Sequence, residues 1–114
     1  MTSWLDSALE QASNRIVVNV ADLELGVDEI EVLPLSAAEF QAIKADPKIR
    51  NIDPVDRVEV IGLRVVFEMM AKCDKTLTWG KFNDLPLNLL ASIASRVTSS
   101  VGDAYDGGGA LGNS

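Results

Sequence analysis

Residues 53–73 read DPVDRVEVIGLRVVFEMMAKC, and this stretch predicts the long helix on which the rest of the chain packs. Asp53 is a suitable N-cap, Pro54 fits the first turn, and Asp56 favours the positive end of the helix dipole. The apolar side chains fill an arc of roughly 240°, which is wider than one core face requires. Ile61 falls inside the remaining polar stripe. The helix is therefore either central in its own domain or contacted by a partner, and the pattern leaves both readings open.

The segment before this helix, LPLSAAEF at residues 33–40, contains the start of another helix. Ser36 and Glu39 have the spacing of a capping box, with serine at the N-cap and glutamate three residues later. We expect the helix to run to about Ala45. It should end at the Asp-Pro pair of residues 46–47, because a residue before proline disfavours helical backbone.

The amino-terminal third predicts a small hairpin. Residues 15–20 (RIVVNV) are rich in β-branched side chains, and residues 29–33 (EIEVL) alternate between apolar and charged. Gly26 and Asp28 mark the turn between them. Two strands alone are barely stable, so a helix or a neighbouring subunit should cover their apolar side. Residues 3–13 (SWLDSALEQAS) predict a short amphipathic helix that also needs a surface to dock on.

After the long helix, residues 74–84 predict a loop or short strand, and Trp79 and Phe82 are expected to anchor it to the core. Asp84 is a candidate N-cap for a final amphipathic helix that runs to about Ser100. The apolar face of that helix carries seven side chains: Leu87, Leu89, Leu90, Ile93, Ala94, Val97 and Val101.

The predicted fold class is α+β, mainly α, with a small N-terminal β-hairpin packed with three to four helices. Residues 1–101 should form a single globular domain, because 47% hydrophobic and 24% charged residues are typical of a folding chain of this length. Residues 102–114 (GDAYDGGGALGNS) predict a flexible Gly-rich C-terminal tail.

The net charge of the chain is -7, and the excess of acidic residues is concentrated in its N-terminal part. Residues 1–47 hold nine acids against two bases, whereas residues 48–101 hold eight bases against six acids. An acidic surface repels phosphate backbones, so we expect no nucleic-acid partner. The excess of acids is explained by ordinary solubility or, more specifically, by a patch for a basic partner. We also expect no signal peptide and no membrane span, which places the protein in the cytoplasm.

The residues offer little catalytic or ligand-binding chemistry. The chain has no histidine and one cysteine, Cys73, which leaves no Ser-His-Asp triad, no Cys-His dyad and no standard structural zinc site. No phosphate-binding glycine motif is present. Asp22, Glu24 and Asp28 lack the spacing of an EF-hand loop, so a solvated turn is favoured over calcium binding. We therefore predict a non-enzymatic protein with no cofactor and no metal.

The order of these segments is similar to that of the tail assembly chaperones of siphophages. Those proteins commonly carry a V-E-V-x-P-L-T-A-x-E-F segment, and residues 30–40 here read IEVLPLSAAEF. In the family a long helix then ends near a V-x-D-x-x-G-K-x-x-F loop, and residues 71–82 here read AKCDKTLTWGKF. A closing helix follows an L-P pair, which is matched by Leu85 and Pro86. The resemblance covers about residues 15–100.

This resemblance implies a bacteriophage tail assembly chaperone that works in the host cell cytoplasm. Such proteins bind and solubilise the tape measure protein, a very long hydrophobic helical chain, and recruit tail tube subunits onto it. They are absent from the finished virion, and many are also made in a longer form by a ribosomal frameshift. The expected partners are therefore the tail tape measure protein and the tail tube protein, with self-association or a frameshifted longer form as further options.

The over-wide apolar arc suggests where a partner helix would bind, because a hydrophobic groove accepts anchors spaced every three or four residues. The hypothesis is a groove between the long helix and the last helix. Its predicted lining is Val58, Ile61, Val65 and Met69 from the long helix, with Leu89, Ile93 and Val97 from the last.

Two other classes of protein fit the same sequence. One is a phage-encoded acidic inhibitor that mimics DNA, such as an anti-CRISPR or anti-restriction protein, which would need acids in regular rows. Glu29 and Glu31 lie on one strand face, whereas the basic residues of 48–101 argue against it. The other is a structural head–tail or tail component that stays in the virion.

Overall fold

The computed structural model describes the backbone of residues 3–109 and the side chains of residues 3–104. The fold is mainly helical, at 65%, with a two-stranded antiparallel hairpin near the N-terminus that packs against the helices. This architecture confirms the predicted fold class. The elements in chain order are α1 (Trp4–Ala12), β1 (Ile16–Asn19), a short 3-10 turn (Ala21–Leu23), β2 (Glu29–Val32), α2 (Ala37–Ala45), α3 (Pro47–Arg50), α4 (Pro54–Ala71), α5 (Trp79–Asn83) and α6 (Leu87–Gly109).

The hairpin forms one wall of the core. Its strands pair with Ile16 opposite Val32. Val18, Val20 and Val32 have no exposed surface, since β1 packs on α6 and β2 packs on α4. The Leu33 N–H donates to the Met69 carbonyl over 3.1 Å, which ties the end of the hairpin to α4. The expectation that a helix covers the apolar side of the strands is confirmed.

The core continues into an aromatic cluster formed with α5. The Phe67 ring centroid lies 5.6 Å from that of Trp79 and 5.5 Å from that of Phe82. The predicted anchoring role of Trp79 and Phe82 is confirmed. The local structure differs from the predicted loop or strand: residues 79–83 form a short helix, because the Thr78 hydroxyl accepts a hydrogen bond from the Lys81 N–H and caps it.

The start of α2 is the predicted capping box. The Ser36 Oγ accepts from the Glu39 N–H at 3.1 Å, and the Glu39 carboxylate accepts from the Ser36 N–H at 2.8 Å. Pro47 ends α2 as expected. It also begins α3, with the Asp46 side chain as N-cap, because a proline needs no N–H partner in a first turn.

The boundaries of α6 differ from the sequence prediction at both ends. Asp84 is the C-cap of α5 and does not cap α6. The Pro86 carbonyl instead accepts the first hydrogen bond of α6, from the Leu90 N–H. The helix continues past Ser100 to Gly109, so the first part of the predicted flexible tail is helical. No proline interrupts residues 101–109, and adding residues to an existing helix needs no new nucleus. Residues 110–114 lie outside the described residues.

Candidate protein-binding surface

Much of the exposed apolar surface lies on α1 and near the amino-terminal ends of α4 and α6. Trp4 is 80% exposed, Val58 is 76% exposed and Leu87 is 67% exposed. Other large hydrophobic side chains that are exposed in the same regions are Leu5, Leu9 and Val55. Scattered apolar residues are normal on a protein surface, whereas a contiguous apolar patch marks an interaction site.

A groove is lined by residues of α4 and α6, and we call it the α4–α6 trough. It consists of two adjoining depressions of about 610 and 590 Å³, and Thr98 lines both. The first lies near Val58 and Leu87, and the second near Met69 and Val101. The walls include two regular rows, Val58, Gly62, Val65, Met69 and Lys72 on α4 and Leu87, Ala91, Ala94, Thr98 and Val101 on α6. Five further residues of these helices line the first depression: Glu59, Leu63, Val66, Ser95 and Ser99.

The spacing along both rows is the same. Within the lining of each helix, these five residues follow one another at intervals of four, three, four and three positions, beginning at Val58 on α4 and at Leu87 on α6, and the other lining residues stand directly beside them. This interval is that of a coiled-coil seam, in which each helix faces its partner every 3.5 residues. Each row spans about 21 Å at 1.5 Å per residue, or about four helical turns. The trough thus has the shape of a two-helix cradle for a third helix.

Small side chains make the first depression wide enough for a large apolar group. Gly62 faces Ala91 and Ala94 across it. A Cβ atom built on Gly62 meets no other atom within 4 Å, so the space above this glycine is open. A partner helix can approach α4 closely here, because small residues let helix backbones come together.

An ion pair borders the second depression. The Lys72 Nζ lies 2.8 Å from the Glu39 Oε1 and also donates to the Pro34 carbonyl at 3.0 Å. Both bonds join the start of α2 to the end of α4. The bond from Lys72, followed by that from the Ser36 N–H, lowers the pKa of Glu39 below its ordinary value. The two charges neutralise each other at the rim, next to the apolar side chains of Leu35 and Phe40.

Helix α1 is close to the trough but does not fill it. Ala12, its last residue, lines the second depression. None of the residues of α1 is buried. Trp4, Leu5 and Leu9 lie on one face of this helix, and Asp6 lies on the other. The chain therefore exposes both an apolar trough and an amphipathic helix that has no surface to cover in its own fold.

The residues predicted to line the groove fall into three groups. Val58, Val65 and Met69 line the depressions, although Met69 is only 6% exposed and also belongs to the core; their role in binding stays a prediction. Ile61 is half-buried and lines neither depression.

On α6 the predicted face is turned toward the core. Ile93 is 3% exposed, Val97 has no exposed surface, and Leu89 packs against the same cluster. None of these three residues lines either depression, and the α6 wall of the trough is made by a face rotated by about one residue, or 100°. The β-branched Ile93 and Val97 pack in the core, whereas the smaller Ala91 and Ala94 line the trough.

Other candidate groups have structural roles. Arg96 holds Asp22 through two hydrogen bonds of 2.6 Å, and this contact lowers the pKa of Asp22. It joins the hairpin loop to α6. Glu59 is exposed at the edge of the first depression. Among the described side chains of residues 3–104, no group of three or more acidic or cysteine residues is placed to hold a metal ion. Along the described backbone of residues 3–109, no helix is both long and apolar enough to cross a membrane.

Comparison of the chain with protein-family models, with curated proteins and with solved structures finds no significant match.

Proposed function

We propose that this protein is a non-enzymatic bacteriophage tail assembly chaperone that holds apolar helical segments of the tape measure protein in the α4–α6 trough. The observation that carries the proposal is the shared four-three spacing of the two walls, which fits the side chains of one added helix. The segment order of residues 15–100, which resembles that family, names the class of client.

The physical properties of the trough suit a chaperone for a long chain. Its lining is mostly aliphatic and small, so it can accept many apolar helical segments without demanding one sequence. Each contact would be weak, and many copies along one long client would gain from effective concentration. The chain charge of -7 would keep such a coat soluble. Recruitment of tail tube subunits and release before the virion is complete, in the host cell cytoplasm, belong to the same proposal.

The acidic-inhibitor alternative has less support. A DNA mimic needs free acids in rows. Glu31 on the hairpin is paired with Arg15 at 2.9 Å, and Asp22 is paired with Arg96. Bases thus stand beside the acids of the hairpin region, which breaks up an acidic row.

Gly62 gives a direct test of the trough. Gly62→Phe should place a ring above α4 and block a client helix, and its Cβ atom meets no other atom within 4 Å. Co-expression with the tape measure protein of the same phage, followed by measurement of the soluble fraction, should show at least a tenfold loss of solubilised client relative to wild type.

The matched control is Gly80→Phe, since Gly80 lies on α5, outside the trough, and a Cβ atom there also meets nothing within 4 Å. This variant should solubilise the client as wild type does. Equal activity of the Gly62→Phe variant, or a wild-type protein that leaves the tape measure protein insoluble, would count against the proposal.

A further inference from the structure

The last residue of helix α1 belongs to the trough, and the rest of the helix lies beyond it. Ala12 lines the second depression, and the lining of the two depressions includes no other described residue of α1. At 1.5 Å per residue, Trp4 lies about 12 Å along the helix from Ala12. The surface of α1 therefore begins where the second depression ends.

The apolar face of α1 is the face that Ala12 shares. Leu5, Leu9 and Ala12 follow one another at intervals of four and three positions, so their side chains lie along one side of the helix. Because Ala12 contributes to the second depression, this side of α1 is continuous with the lining of the trough. The interval is also that of the two trough rows, so one straight helix can present anchors to all three.

No part of this face is covered by the chain itself. None of the nine residues of α1 is buried, and Leu9 is 62% exposed. A helix this short is marginal in water when it is isolated, so the formed helix gains from a surface that covers its apolar side.

The connection to the hairpin holds α1 at the end of the trough. The helical turn continues past Ala12, because the Asn14 N–H donates to the Gln11 carbonyl at 3.0 Å. Ile16 already belongs to β1, so Arg15 alone joins this turn to the strand. The Arg15 guanidinium donates to the Glu31 carboxylate at 2.9 Å. Folding α1 back over its own trough would require this turn to change.

The charges around the site favour a basic client helix over a second copy of this chain. Helix α1 holds Asp6 and Glu10 and no base, and Glu59 borders the first depression. The ion pair of Glu39 and Lys72 at the second depression is neutral. A second copy also carries a charge of -7 and would be repelled, whereas an apolar helix with lysine or arginine beside its apolar row would be attracted.

We infer that α1 extends the client-binding site past the second depression, so that one apolar helix with basic flanks lies in the trough and then against Leu5 and Leu9. The inference rests on the proposed function of the trough. The trough alone accommodates about 21 Å of helix and α1 adds about 14 Å, which together match a client segment of about 23 residues. A long client helix thus gains a contact that a short one does not reach.

Two synthetic helical peptides of different length test the inference on the full chain. Both carry leucine at four-three intervals and alanine or lysine elsewhere; one has about 14 residues and matches the trough, and the other has about 23 residues. Fluorescence anisotropy of the labelled peptides gives a Kd for each. The double variant Leu5→Gln with Leu9→Gln should raise the Kd of the long peptide about tenfold or more, through lost apolar contact, and leave that of the short peptide unchanged. The control Ser7→Gln, on the polar face of α1, should bind both peptides as wild type does.

The outcomes separate this inference from the proposed function. Equal affinity of the double variant and wild type for the long peptide would overturn the inference and leave the trough proposal standing. Failure of both peptides to bind the wild type would count against the trough itself, and the inference would fall with it. Tighter binding of the short peptide to the double variant would show that α1 covers its own trough. A wild-type dimer that the double variant loses, in sedimentation velocity, would show that a second copy covers α1; either result would overturn the inference.

Crosslinking locates the client helix along the site. In a Cys73→Ser background, which has no other cysteine, Leu9→Cys and Val58→Cys are placed in separate chains. The long peptide carries a single cysteine near its N-terminus in one version and near its C-terminus in the other. The two proteins should form disulfides with opposite versions of the peptide, because Val58 lies in the first depression and α1 lies beyond the second. A preference of both proteins for the same version, or equal crosslinking of Ser7→Cys and Leu9→Cys, would overturn the inference.

Discussion

Helices α4 and α6 each have two very different sides. The side toward the hairpin and α5 is packed with large side chains, among them Val97 with no exposed surface and Phe67 with 6%. The side toward the trough includes smaller groups such as Gly62 and Ala91 and is open above Gly62, although the buried Val66 and Met69 also line it. The largest buried side chains thus lie mainly toward the core, and more exposed, regularly spaced positions lie toward the trough. We propose that the first set provides stability and that the second provides the binding surface.

The largest expected difference in stability between the two sides comes from substitutions at two neighbouring residues on α6. Val97→Asp would bury a carboxyl group against the hairpin with no partner and should remove most of the free energy of unfolding, which is about 5–15 kcal/mol for a domain of this size. Thr98→Asp places the same group in the open trough and should change stability by less than about 1 kcal/mol. Urea denaturation followed by circular dichroism measures both. Similar losses in the two variants would show that the trough side is also packed.

A smaller effect is expected when a phenylalanine is removed from each region. Phe82 is 4% exposed in the aromatic cluster, and Phe82→Ala should cost about 3–5 kcal/mol through lost burial and the cavity left behind. Phe40 is 37% exposed at the rim of the second depression. Phe40→Ala should cost less than half as much, about 1 kcal/mol. Equal losses in urea denaturation would place Phe40 in the core.

Local signals explain how much of the fold could be predicted from sequence. The capping box of Ser36 and Glu39 and the Asp-Pro start of α4 act within a few residues, so both helix starts were recognised. The alternation of β2 likewise identified a strand. The short α3 and α5 were missed, because helices of four or five residues have too little periodicity and depend on contacts made by the rest of the fold.

The lining of the trough was only half predictable, for a physical reason. Val58, Val65 and Met69 were selected because the apolar arc of α4 is too wide for a core face alone, and all three line the trough. On α6 the prediction selected the most apolar face of the helix. That face packs in the core against the hairpin, as the fully buried Val97 shows. The four-three spacing from Leu87 to Val101 is present in the sequence, but small residues give it a weak apolar signal. The Asp22–Arg96 contact joins residues 74 positions apart, which no local pattern reveals.

The ion pair at the rim of the trough should make stability depend on pH by a modest amount. The pKa of Glu39 is lowered below its ordinary value of 4.5, chiefly by the hydrogen bond from Lys72. The contribution of the pair is therefore complete above pH 4.5 and is lost as the pH falls through the lower pKa of the folded protein. Both side chains are partly exposed, so Glu39→Gln should cost less than about 1 kcal/mol at pH 7.

Denaturation between pH 3 and 7 measures this effect. Glu39→Gln should flatten the fall in stability on the acid side of pH 4.5, and Lys72→Met should flatten it in the same way. A double variant that loses as much as the sum of the two single variants would show that the groups act separately and do not form a coupled pair.

The smallest expected effect belongs to the most exposed aromatic side chain. Trp4→Ala should change the free energy of unfolding by no more than about 0.5 kcal/mol when it is measured at dilution, because the Trp4 ring is 80% exposed in a single copy. Trp79→Ala is the matched substitution: it removes a ring that packs edge-to-face against Phe67 and whose centroid lies 5.1 Å from the Arg64 guanidinium carbon, and it should cost several times more. A loss of 1 kcal/mol or more at Trp4, on the order of what a buried side chain contributes, would mean that α1 already packs on its own chain. The exposed apolar face of α1 would then be part of the fold of a single copy, and the contrast between a filled core and an exposed α1 would fail.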